Sequence, residues 1–244
     1  TSVLAGPNRF FLPNGGGATG TLAVANSGRV IIGNAWFSLG NGDAGTGMAT
    51  VKANGSISVS GAFNVTDTGA SVASLSLQDN AIATGNAVYI GKSGGSVATV
   101  TMSGGTLIAR GGDLQMGASG NATFNQTGGT VIGTNWISIG RNGGGVGVYN
   151  LSGGTLMKVT PTANRLNVAE NGTGTLNVSG TGSVIVGVGG FADLDICSAG
   201  GNGTVNLNGG SIAAGRVTHL GGGTATFNFN GGTLIASTIT NSLF

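Results

Sequence analysis

Ser103-Gly104-Gly105-Thr106-Leu107-Ile108-Ala109 decides the fold, because the chain writes this stretch again and again. Close copies read TGGTVIG (Thr127 to Gly133), SGGTLMK (Ser152 to Lys158), NGGSIAA (Asn208 to Ala214) and NGGTLIA (Asn230 to Ala236). Looser copies read NSGRVII (Asn26 to Ile32), ANGSISV (Ala53 to Val59) and GTGSVIV (Gly180 to Val186). Self-similarity at a period of about 26 residues is the signature of a solenoid.

Working outward from the Gly-Gly corner, each repeat holds three short runs in which apolar and small polar residues alternate. The fifth repeat shows them as Thr123-Phe124-Asn125, Thr130-Val131-Ile132 and Trp136-Ile137-Ser138-Ile139. Alternation with period two means a strand buried on one side. The Gly, Asn and Ser between the runs supply the backbone freedom of tight corners. The first run is anchored on Leu22, Val51, Leu75, Val100, Phe124, Tyr149, Leu176, Val205 and Phe227. The third carries inward pairs such as Phe37/Leu39, Phe63/Val65, Val88/Ile90 and Leu194/Ile196. No segment carries a helical apolar period. A propeller blade needs four strands and about 40 residues, more than this period holds. The expectation is an all-β chain, a right-handed parallel β-helix of about nine coils with three short strands per coil, roughly 43 Å long at the usual inter-strand spacing. Residues 1–19 fall outside the repeat and read as an N-terminal cap; 20–244 form one repeat domain. The last coil shows no polar cap, and more chain is expected to follow it. The column Asn125, Asn150, Asn177, Asn206 and Asn228 reads as a structural amide ladder.

Composition narrows the function. Of 244 residues 52 are Gly and only 7% are charged, with a net charge of +2. No Lys/Arg run exists, so the footprint of a nucleic-acid binder is missing. No apolar run is long enough for a membrane-spanning helix, and the start does not read as a signal peptide. Cys197 is the only cysteine and excludes an intrachain disulfide. Gly-x-Gly-x-x-Gly spacings arise by chance in a chain this rich in Gly and have no strand–helix context, so no nucleotide cofactor is expected, and no metal ligand is assigned.

Departures from the repeat collect on the outward side of the third strand. The position before its first inward residue reads Trp36, Ala62, Ala87, Asp113, Trp136, Arg165 and Asp193. The position between the inward residues reads Ser38, Asn64, Tyr89, Gln115, Ser138, Asn167 and Asp195, continuing towards His219, and Lys92, Arg141 and Glu170 lie just beyond. Aromatic rings offer flat apolar platforms for sugar rings, while amides, carboxylates and guanidinium groups bind hydroxyls. Trp36, Tyr89 and Trp136 fall in alternate coils, about 10 Å apart, the length of a disaccharide in a β-1,4-linked chain. Trp36, Tyr89, Asp113, Gln115, Trp136, Arg141, Arg165, Asn167 and Asp195 therefore form the candidate carbohydrate-binding set. Alternatively, the tryptophans pack against a neighbouring loop or domain. Asp193 and Asp195 could instead serve a hydrolase or lyase, since outward residues two apart on a strand lie about 7 Å from each other. Too few acids and no long cleft loops accompany them, so no catalytic residue is assigned.

The SGGTL and NGGTL corners, each preceded by an Asn-rich strand over about residues 20–240, resemble two groups. One is the passenger-associated repeats of bacterial autotransporters and large surface proteins. The other is the right-handed β-helical carbohydrate-binding modules joined to xylan-degrading enzymes of gut bacteria. The second resemblance implies a secreted or cell-surface bacterial module that binds β-1,4-linked plant cell-wall polysaccharide, xylan first, and is covalently linked to a catalytic domain. The first implies a structural or adhesive stalk. No binding residue of either group maps onto a position here.

Overall fold

The computed structural model describes residues 2–159, 165–187 and 192–240. Among them every regular element is a β-strand, and all pair in parallel, coil upon coil, in a solenoid of about nine turns. Coil 5 shows the unit: Asn121–Gln126, Thr130–Gly133 and Ile137–Ile139, one strand for each of three faces. Asn121–Gln126 pairs residue for residue with Val97–Met102 before it and Val146–Leu151 after it. This register holds along the rod and shifts only between Leu207 and Ser211 in the last pair.

The Gly-Gly corners have two separate causes. The second glycine lies in the left-handed region, with φ of 79° at Gly105, 74° at Gly129 and 80° at Gly154, where a Cβ is disfavoured. The first is forced by stacking: a Cβ on Gly128 would lie 2.4 Å from the carbonyl oxygen of Ser103 in the coil below, and one on Gly153 would lie 2.4 Å from that of Thr127. The repeated triplet thus serves a turn and a close approach of successive corners.

Inward residues stack like on like. Phe10, Phe37 and Phe63 form a column with 5.1 Å between successive ring centroids, and Phe124 lies 4.6 Å from Tyr149. Tyr149 is fully buried and donates its hydroxyl to Oε1 of Gln126, whose amide in turn reaches the carbonyl of Gly129. Burial holds the phenol well above its usual pKa.

Three sequence expectations are corrected. The first-strand column passes through Ala49, not Val51, in coil 2; Val51 lies two residues further on, on the same side, paired with Val24 and Leu77. Residues 1–19 do not all lie outside the repeat. Val3–Gly6 pairs with Arg29–Ile32, and Phe10–Asn14 pairs with Phe37–Asn41, so they are the second and third strands of a further, partial turn. Thr218, not His219, stands in register with Asp195. One inward residue was not foreseen: Lys158 ends a second strand in the column that holds Gly133 and Val186. It is fully buried, reaches the carbonyl of Thr134 at 3.3 Å, and has its pKa lowered by burial. At the far end Phe229, inward by register and equivalent to the buried Leu207, is 51% exposed, while Phe227 on the same strand stays buried.

Candidate functional site

The outward column of the third sheet is in register as read from the sequence: Ser38, Asn64, Tyr89, Gln115, Ser138, Asn167 and Asp195 pair in order. Outward does not mean exposed here. Apart from the half-buried Tyr89, every member is at most 4% accessible, and Ser38, Asn64, Asn167 and Asp195 are closed to solvent. Gln115, Asn167 and Asp195 are therefore not contact residues for a polymer, which corrects their place in the candidate set.

Longer side chains on both flanks close over the column and pair with it. Asn64 donates to Ser38 at 2.9 Å, Ser38 donates to Asp67 at 2.8 Å, and Lys92 pairs with Asp67. Two coils on, Arg141 spans Asp113 and Glu170, at 3.1 Å to each. Asp113 also accepts from Asn135 at 2.7 Å and Gln115 at 3.0 Å, and Asn167 donates to Glu170 at 3.3 Å. Above them Arg165 lies 3.4 Å from Asp193 and 3.5 Å from Asp195. Arg216 grips Asp193 in bidentate fashion at 2.7 and 2.8 Å, the fork geometry that favours Arg over Lys.

Trp36 and Trp136 flank this polar spine, Tyr89 stands within it, and all three stay half-exposed. Each carries a cation over its ring: the Arg9 guanidinium lies 4.0 Å from the Trp36 ring centre, the Lys92 ammonium 5.5 Å from Tyr89, and the Arg165 guanidinium 5.8 Å from Trp136. Such contacts attract through the ring quadrupole and hold both partners. Arg9 comes from the partial N-terminal turn. Six of the nine candidates, Trp36, Tyr89, Asp113, Trp136, Arg141 and Arg165, thus remain partly accessible along one face.

Electrostatics follows from the enclosure. Burial raises the pKa of Asp195, opposed by Arg165 and by a hydrogen bond from the Leu220 N–H. Burial also raises that of Glu170, against the pull of Arg141. Asp193 and Asp195 are the pair that could be drawn as a catalytic dyad, and both are buried against guanidinium groups. Among the described residues no group of three or more His, Cys, Asp or Glu is placed to hold a metal ion.

Sequence reasoning missed Asp67 and Arg9. Asp67 lies in a corner, and Arg9 lies in the stretch read as a cap. Arg216 and Asp193 are register partners one coil apart. Comparison with protein families, with curated proteins and with solved structures finds no match to this chain.

Proposed function

We propose that the protein is a non-catalytic carbohydrate-binding module whose third face receives a β-1,4-linked plant polysaccharide, xylan first, and positions a covalently linked glycoside hydrolase. The observation that carries this reading is the row of half-exposed Trp36, Tyr89 and Trp136, set in coils 1, 3 and 5 and interleaved with Asp113, Arg141 and Arg165. The buried polar column and the cations held over the rings favour it, because platforms fixed before the ligand arrives lower the ordering cost of binding. Burial of Asp193 and Asp195 in ion pairs favours a binding role over hydrolysis. The exposed face implies weak affinity, micromolar or weaker, or about −8 kcal/mol at most.

Affinity electrophoresis tests it: migration should be retarded in gels containing xylan. Unretarded migration in xylan, mixed-linkage glucan and cellulose derivatives would leave the stalk reading. Release of reducing ends or unsaturated products from xylan, pectin or alginate would replace the proposal with an enzyme.

A further inference from the structure

The amide ladder of the first sheet has a direction. Asn228 donates to Asn206, Asn206 to Asn177 and Asn177 to Asn150, each at 2.7 Å, and Asn150 donates to Asn125 at 2.8 Å. Every Nδ2 points to the coil before it, so the amide dipoles align and polarise one another. The chain of bonds stops at Asn125. Its Oδ1 is taken by Asn150, and no described residue accepts from its Nδ2. In the preceding coil the register position belongs to Thr101, and before that to Ser76. Here a groove of about 230 Å³ opens, walled by Ser76, Gln78, Thr101, Ser103, Asn125 and Thr127, with the Met102 backbone strand beneath.

The polarised donor end of a ladder thus faces a recess ringed with hydroxyls. What fits is a group that acts as the next rung: a carbonyl to accept from Asn125 and neighbouring hydroxyls for Ser76, Thr101 and Thr127. No Lys, Arg or His lines the groove, and Asp79 follows Gln78 in the chain, which disfavours a carboxylate. The volume lies below the roughly 300–1,000 Å³ of drug-sized sites, so it holds one sugar unit. We propose that this groove is a binding site for an acetamido sugar, with the N-acetyl carbonyl extending the ladder at Asn125.

The test follows the Asn125 side-chain amide resonance in the intact protein during titration with N-acetylglucosamine, acetamide, glucose and sodium acetate. N-acetylglucosamine and acetamide should shift it, with a millimolar Kd (about −4 kcal/mol); glucose and acetate should not. Thr101→Asn, which adds a rung and supplies Asn125 with an acceptor, should weaken the response at least tenfold while preserving the fold. Asn125→Asp, which still accepts from Asn150 but has no donor, should abolish N-acetylglucosamine binding as read by saturation transfer. Absence of any shift, an equal shift with glucose or acetate, or an undiminished response in Thr101→Asn overturns the proposal. Trp136→Ala should leave the response intact, so this site and the polysaccharide face fail or stand separately.

Discussion

Replacing Asn177 by Ala removes the middle of the amide ladder. Its Nδ2 donates to Asn150 and its Oδ1 accepts from Asn206, each at 2.7 Å. A net contribution of about 0.5–1.5 kcal/mol per hydrogen bond puts the loss of two at about 1–3 kcal/mol. The ladder is half-buried, and water can reach the groups left behind, which places the expected value at about 1–2 kcal/mol. Asn228 is exposed and makes a single ladder bond, so Asn228→Ala should cost only about 0.5 kcal/mol. Asn177 and Asn206 share one bond; their double variant should therefore be less destabilised than the two singles added, by about 1 kcal/mol. Urea unfolding followed by far-ultraviolet circular dichroism reads these differences as midpoint shifts at constant slope. Polysaccharide retention should not change, because the ladder lies on another face. A loss at Asn177 no larger than at Asn228, or strictly additive losses, would refute the ladder as a stabilising chain.

Three further outcomes are expected. Trp136→Ala should reduce retention in xylan gels by tenfold or more (about 1.4 kcal/mol) with an unchanged circular dichroism spectrum, whereas retention equal to that of the unmodified protein would place the platform elsewhere. Asp195 has a folded-state pKa raised above its usual 3.8, so its contribution to stability is fully present below that value and is lost as pH rises through the folded pKa. The Tm of Asp195→Asn minus that of the unmodified protein should therefore increase between about pH 4 and pH 7; a decrease would mean that pairing with Arg165 outweighs burial. Gly140→Ala should destabilise the rod by at least about 1–2 kcal/mol, since φ is 78° and the new Cβ would meet the Thr173 carbonyl oxygen at 2.2 Å; denaturant midpoints would show it.

The coil was legible because its causes are local. Period-two alternation set the strands, and Gly105, Gly129 and Gly154 marked corners that only glycine fills well. The third-sheet register was equally plain, since Phe37, Phe63 and Val88 each stand three residues before the corner that follows, at Gly40, Thr66 and Gly91. Burial of the outward column was not legible. Period two says that Asn167 and Asp195 point away from the core; it cannot say that Glu170, Arg165 and Arg216, contributed by corners and adjacent coils, close over them. Lys158 escaped for the opposite reason. A charged residue in an inward column contradicts the pattern, and its ammonium is met by a backbone carbonyl, that of Thr134, which no side-chain pattern reveals. Val51 failed by two residues because coil 2 places Ala49 where its neighbours place larger side chains, and alternation alone does not distinguish one inward position from the next.

The stacked Gly-Gly corners also bear on how such a chain can change length. Each coil pairs its backbone only with the coils on either side, through the same parallel register, so a duplicated or deleted coil shifts the rest of the rod by one step of about 4.8 Å. Such edits are neutral only where adjacent coils are interchangeable. Between coils 5 and 6 they are not: Tyr149 needs Gln126 below it, and the buried Lys158 needs the Thr134 carbonyl of the coil below. Recombination within this gene would therefore be tolerated at some coil boundaries and rejected at that one, and the rod's history of growth should be written in which neighbours can no longer be separated.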